Sequence, residues 1–242
     1  MTRTALSFNN VIKAYRGQNV LCGIDFELQC GEFLGLVGVN GAGKTTLIKC
    51  LLDFTALDSG SISIFGKDHG QTSAREQLVY LPEKFIPPYY LSGHSFLEYM
   101  NELHRVSCGR EETARILAVL EMEYPALDKP VRQLSKGMSQ KLGLAACLLS
   151  GKELLVLDEP MSGLDPRARA YLKPYLLGLK KQGKTLFFST HMLSDVEALC
   201  DRVAILHDGR ILFTGSPRTC CERFNADSFE QAYLNCVSGV HH

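Results

Sequence analysis

The stretch GVNGAGKT, Gly38 to Thr45, constrains this chain more than any other. It follows the apolar run EFLGLVG, Glu32 to Gly38, and leads into the helix-like segment TTLIKCLLDF. A short apolar run that ends in glycines reads as a buried strand feeding a loop. The glycines let the N–H groups of that loop converge on one anion, and the N-terminus of the following helix adds positive potential. In this strand–loop–helix setting the spacing G-x-x-x-x-G-K-[ST] is that of a loop that cradles phosphates. The candidate contacts run through Gly38, Val39, Asn40, Gly41, Ala42, Gly43, Lys44, Thr45 and Thr46. Lys44 is spaced to reach the β- and γ-phosphates of a nucleotide, and the Thr45 hydroxyl to ligate Mg²⁺.

A second apolar run, ELLVLDEP from Glu153 to Pro160, ends in two acids. In open parallel sheets, ligands sit outside the carboxyl ends of the strands. Asp158 is therefore placed to hold Mg²⁺, directly or through water, and Glu159 to orient and deprotonate an attacking water. An acidic pair after a strand says little alone. Beside a phosphate loop it points to phosphoryl transfer.

The remaining segments fall into order around these two. Ala5 to Leu28 mixes β-type alternation with turns, and SGSISIFG, Ser59 to Gly66, reads as a strand bounded by turns. KTLFFST and RVAILHDGRILFTG also read as strands, the second doubling back at Asp208-Gly209, a strong hairpin signal. Strands that alternate with helices imply a mostly parallel sheet. From about Pro82 to Gly151 the pattern changes: prolines 82, 87 and 88 break the chain, and helical periodicity takes over. Ser95 with Glu98 reads as a capping box for a helix bearing Phe96, Met100 and Leu103. A second helix is expected from Glu111 to Glu121, and a third with Met138, Leu142, Ala145 and Leu149 on one face. The stretch after Ser216 is weakly patterned.

Composition narrows the function classes. Acidic and basic side chains balance at 26 each, which gives no electrostatic footprint for nucleic acid or for an anionic membrane surface. The 9 cysteines include no CxxC pair, and several lie in apolar runs, so buried reduced thiols are the reading they favour. MTRTALSFNN lacks the apolar core of a signal peptide, and no run approaches the ~18 apolar residues of a membrane-spanning helix. A chain of this kind cannot form a channel or carrier by itself.

LSKGMSQK, Leu134 to Lys141, stands just ahead of the acidic strand. Alone it reads as a helix cap, since serine is a good N-cap. Together with the phosphate loop and ELLVLDEP, it makes the chain resemble the nucleotide-binding subunits of ABC-type (ATP-binding cassette) membrane transporters, over about Leu6 to Pro217. General phosphate-loop ATPases and GTPases lack this element, and no guanine-reading N-K-x-D is present. The resemblance implies an α/β fold: a phosphate-loop NTPase core with a mostly parallel sheet, an N-terminal antiparallel β part and a helical insert. It implies one ATPase domain over 1–217, with its core at about 1–82 and 151–217 and a helical subdomain at about 83–150, followed by a tail over 218–242.

The same resemblance implies ATP and Mg²⁺ as ligands and hydrolysis to ADP and phosphate, with Lys44, Glu159 and His191 in the catalytic set. His191, in FFSTH after an apolar strand, resembles the family's switch histidine by position, although a lone histidine is usually structural. Ser135, Lys136, Gly137 and Met138 are implied to meet the ATP held by a second, identical or paralogous cassette, in a two-fold pair. SGLD, Ser162, Gly163, Leu164 and Asp165, resembles the loop that crosses between the two. Tyr15 lies where an aromatic stacks on adenine; as a core aromatic it would look the same. Glu83 in LVYLPEKF joins Thr45 and Asp158 as a candidate Mg²⁺ ligand.

Three positions depart from the family pattern. Glycine is commoner at Lys136, glutamine at Met138, and glutamine again at Glu83. A carboxylate can ligate Mg²⁺ but cannot donate a hydrogen bond while ionised. YLPE and LSKGM are similar to a subgroup that serves exporters, which implies export from the cytoplasmic face. The aromatic stretch from Glu83 to Leu91 is implied to meet an integral membrane subunit; as a local cluster it would pack the helical insert. The rival reading is a cassette ATPase energising a soluble assembly, such as iron–sulfur cluster biogenesis. Which partner co-purifies in detergent separates the two.

Overall fold

A computed structural model describes residues 3–239 of the chain. A long hairpin opens it: β1 (Thr4–Tyr15) and β2 (Gln18–Gln29) pair antiparallel. The phosphate-loop unit follows as β3 (Phe33–Val37) and α1 (Lys44–Leu51). Next come β4 (Ser59–Ile64), β5 (Lys67–Asp68) and β6 (Leu78–Leu81). Three helices then run without an intervening strand: α2 (Gly93–His104), α3 (Arg110–Val119) and α4 (Lys136–Leu149). The chain returns to β/α alternation with β7 (Leu154–Asp158), α5 (Pro166–Lys181), β8 (Thr185–Thr190) and α6 (Leu193–Leu199). It continues through the hairpin β9 (Arg202–His207) and β10 (Arg210–Gly215) into α7 (Pro217–Arg223) and α8 (Phe229–Ser238).

Two sheets result. One is antiparallel, in the order β2-β1-β4-β5; the other runs β10-β9-β3-β8-β7-β6 and is parallel throughout except for β10. Strands covered on both faces must be apolar along their whole length. FLGLV is apolar throughout, and LLVLD and TLFFST are apolar except at or next to their ends, at Asp158, Thr185, Ser189 and Thr190; every residue of the three is buried. One core lies between the sheets, where Phe8 stacks on Phe26 at 4.4 Å and both lean on Phe187, with Leu47 and Ile48 of α1 joining them. A second joins the helical block to the other face through Leu142, Ala145, Leu157 and Phe188. Among the described residues, no helix is long and apolar enough to cross a membrane.

Three local expectations need correction. The cap of α2 is Ser92, whose side chain accepts from the Ser95 backbone N–H; the Ser95–Glu98 box does not form. Both serines suit a cap, but long-range pairing selects Ser92. Val131 N–H donates to Leu91 O, and Gly93 lies so close to Leu127 that a Cβ there would come within 2.8 Å of its Cα. The second helix ends at Val119, before Glu121, which takes the left-handed conformation at φ 51°. The weakly patterned stretch after Ser216 folds into α7 and α8. Their Cys220, Phe229, Ala232 and Cys236 pack on Val37, Val203, Ile205 and Phe213 in a third core. Short helices with one or two apolar turns carry too little periodicity to be read from sequence.

Candidate active site

The site arises from strand order. β3, β8, β7 and β6 are adjacent and parallel, in register at Val37–Thr190, Asp158–Ser189 and Leu81–Leu157. Their carboxyl ends therefore open on one edge of the sheet, where crevices form in such folds. β3 delivers the glycine loop, β8 His191, β7 Asp158 and Glu159, and β6 Glu83. Asn40, Gly41, Gly43, Lys44, Thr45, Thr46, Glu83, Glu159, Ser162 and His191 line one cleft of about 470 Å³ there, with Val20. Residues 119 apart or more in sequence (Asn40 and Glu159) thus share one wall.

The loop is held open by contacts behind it. Gly43 takes φ 111°, a conformation that only glycine adopts without strain, and caps α1 through its backbone. A Cβ on Gly38 would collide with the Leu206 carbonyl, so β9 backs the loop at a distance no side chain allows. The β9–β10 turn braces it from the side, with Gly209 N–H donating to Ala42 O at 3.3 Å.

The charged groups form one connected set. The buried Lys44 ammonium donates to Gly38 O at 2.6 Å and Val39 O at 3.3 Å, and lies 3.8 Å from Glu159 Oε1. The Thr45 hydroxyl donates to Asp158 Oδ2 at 3.0 Å, and the Ser189 hydroxyl donates to Asp158 Oδ1. Ser189 Oγ in turn accepts from Glu159 N–H at 3.0 Å. His191 Nδ1 lies 3.0 Å from Glu159 Oε2. Glu159 itself has φ 50°, a region costly for a residue with a Cβ. Such strain persists where its surroundings over-determine it, and it collects at functional sites. Near the acids, burial raises the Tyr80 phenol above its ordinary range, and the charges of Asp158 and Glu83 add to the effect.

The other expected site residues lie elsewhere in the chain. Tyr15 stands outside the cleft wall, 44% exposed, with the Lys13 ammonium 5.4 Å above its ring. Ser135 caps α4, its side chain accepting from Met138 N–H at 3.2 Å; neither it nor Lys136, Gly137 or Met138 lines the cleft of its own chain. Ser135 and Lys136 are exposed. The SGLD loop lies between the two regions. Ser162 faces the cleft, and the carbonyl of Gly163 would sit 3.1 Å from a Cβ on Gly137. Leu164 is buried, and Asp165 caps α5 by accepting from Ala168 N–H. Lys141 donates to Asp165 Oδ2 at 2.7 Å; that bond and the cap bond pull the Asp165 carboxyl down to about 2.

Two residues of the site carry no sequence signal of their own. Val20 lines the cleft from β2, yet reads as one apolar residue in an alternating strand. Ser189 is fully buried and orients both acids, but in sequence it is one polar residue ending an apolar run.

Known proteins align with this arrangement. The family model described as ABC transporter matches residues 21–162, more than half of the chain. An uncharacterised ABC transporter ATP-binding protein of Synechocystis sp. is 42% identical over 80% of this chain and 55% of its own length. A Nod factor export ATP-binding protein I of Burkholderia orbicola is 34% identical over 92% of this chain and 74% of its own. The chain thus spans little more than half of the first relative. A solved structure of the ATP-binding subunit of an ABC transporter superposes with a TM-score of 0.86 at 30% identity, covering 96% of this chain and 99% of that one. Glycine loop, acidic strand end and overall architecture agree with these matches: the chain belongs to the ABC transporter family, as one of its ATP-binding domains, which are ATPases.

Proposed function

We propose that the chain powers export across a membrane by closing with a second cassette around ATP and reopening after hydrolysis. The observation that carries this reading is a separation within one chain. Lys44, Glu159 and His191 share a cleft, while the exposed Ser135 helix end lies outside it. A second copy, related by a two-fold axis, would bring its Ser135 hydroxyl and Gly137 N–H to the γ-phosphate held over Gly38–Thr46. Only the triphosphate bridges both surfaces, so ATP favours the closed pair by differential affinity. The loop Ser162–Asp165 crosses between the copies, and Lys136 adds positive charge beside the bridge.

Within the cleft, Lys44 exchanges the Gly38 and Val39 carbonyls for phosphate oxygens. Glu159 orients the attacking water and takes its proton, and His191 holds Glu159 and the γ-phosphate. Hard oxygen donors suit Mg²⁺, which binds through one or two carboxylates plus substrate phosphates. Thr45 Oγ1 and Asp158 Oδ2, already 3.0 Å apart, fit that pattern, and Glu83 lines the same cleft. There the ion would neutralise phosphate charge. Tyr15, at the rim, would stack on adenine.

Transport needs a membrane partner. Ile86, Tyr89 and Tyr90 are 87%, 69% and 72% exposed, and such an apolar surface between Glu83 and Leu91 supports docking of that partner on the cytoplasmic face. The exporter relative supports the outward direction. The test is Glu159→Gln incubated with ATP. We expect hydrolysis slowed by about 10²-fold or more and a dimer stable to size-exclusion chromatography. Unchanged turnover, or a monomer under these conditions, overturns the reading.

A further inference from the structure

Helix α5 starts at the interface loop and makes three contacts along one side that all lead to α6 and its flanks. Arg169 Nη1 lies 3.1 Å from Met192 Sδ, Lys173 Nζ lies 2.7 Å from Asp195 Oδ1, and Lys180 pairs with Asp201. The spacing from Arg169 to Lys173 is one helical turn, so both project from the same face. Met192 is the residue directly after His191, and Asp195 belongs to the first turn of α6. One side of His191 is fixed by β8 through Thr190, whose Oγ1 accepts from Met192 N–H at 3.0 Å. The other side is fixed by α6, which α5 grips.

The grip is made with buried charge. The Asp195 side chain is 2% exposed, and its second oxygen, Oδ2, has no hydrogen-bond partner; Arg169 Nε is likewise buried without one. A buried carboxylate with a single cationic partner is held firmly by that partner, because leaving it costs the desolvation of an unpaired charge. Simple packing between α5 and α6 would need no charge here. A cluster of half-satisfied polar groups is an expensive way to join two helices unless their relative position matters.

We infer that Arg169, Lys173 and Asp195 are positioning residues that tie the place of His191 to the place of the interface loop Ser162–Asp165. This rests on the proposed role of His191 and deepens it. When a second cassette moves the loop, α5 carries the displacement to Met192 and Asp195 and sets the His191–Glu159 contact. Hydrolysis then runs only when the loop is seated against the partner.

The test uses the full chain with ATP. Lys173→Met with Asp195→Asn removes both charges of the pair together, so neither is left without the other, and the fold is preserved as judged by thermal unfolding. We expect KM for ATP within about twofold of the parent and kcat lower by about tenfold or more, because misplacing a catalytic group lowers turnover and leaves ground-state binding intact. Lys173→Arg, which keeps the charge, restores most of the turnover. In a His191→Ala background, the double substitution causes no further loss, since both act through one side chain. Wild-type kcat in the double variant, or a full multiplicative loss on top of His191→Ala, overturns the inference while leaving the cassette reading intact. Full turnover in His191→Ala alone overturns the role given to His191 and, with it, the inference.

Discussion

Ser189 shows how much of a site rests on residues with no chemistry of their own. Its hydroxyl donates to Asp158 and accepts from the Glu159 N–H, so one buried oxygen fixes both acids at the end of β7. Ser189→Ala leaves an Asp158 oxygen inside the protein without its donor, at a cost of about 1–3 kcal/mol. Glu159 keeps the bond from its N–H to Ser189 O at 3.2 Å, so its backbone stays in place. We therefore expect a fall in thermal stability, a clear loss of turnover, and ATP affinity close to that of the parent, because Lys44 and the glycine loop are untouched. Equal losses in affinity and turnover by calorimetry and steady-state kinetics would show that Ser189 supports the whole cleft. The glycine loop, Lys44 and the acids at the cleft were legible in the sequence because their spacing follows a recurring motif. Ser189 and Val20 were not, because what they touch is set by strand order.

Elements were legible where one period ran long enough. The buried runs Phe33–Val37 and 154–157 are apolar at every position, as strands covered on both faces must be. The α2 cap and the two C-terminal helices were not, since tertiary contacts decide them: Leu127 against Gly93 in one case, Val37 and Ile205 under Phe229 and Cys236 in the other. Gly143, inside α4, is a further element-scale feature hidden from propensity. Glycine there costs the helix about 1 kcal/mol relative to alanine. Yet a Cβ at this place would approach the Phe85 ring to 2.6 Å, and Phe85 in turn packs edge-on against Phe96. Two residues before Phe85 stands Glu83, on the cleft wall. Gly143→Ala should therefore destabilise the protein, by roughly 1–3 kcal/mol of overpacking, against the gain that propensity alone predicts. It should also lower turnover through displacement of Glu83. Urea unfolding reads the first effect; a variant about 1 kcal/mol more stable than the parent would show that Phe85 yields freely.

At the scale of the whole molecule, the question is whether one chain completes its own site. The cleft holds the phosphate loop, the acids and His191, while Ser135 stays outside it on an exposed helix end. This arrangement predicts complementation between two dead copies. Lys44→Ala destroys the loop but keeps the Ser135 end; Ser135→Arg destroys that end but keeps the loop. Each variant alone has two crippled sites per pair and should not hydrolyse ATP. In a mixed pair the intact loop of one faces the intact helix end of the other, and the second site combines both defects. Random pairing makes about half of the pairs mixed, each with one good site, so about a quarter of parental activity should return. A site built within one chain predicts the opposite, since every chain in the mixture carries a lesion. Differently tagged copies report whether mixed pairs form. Mixed pairs that form and stay inert would remove the second cassette from the chemistry, and leave Ser135 as no more than the cap of α4.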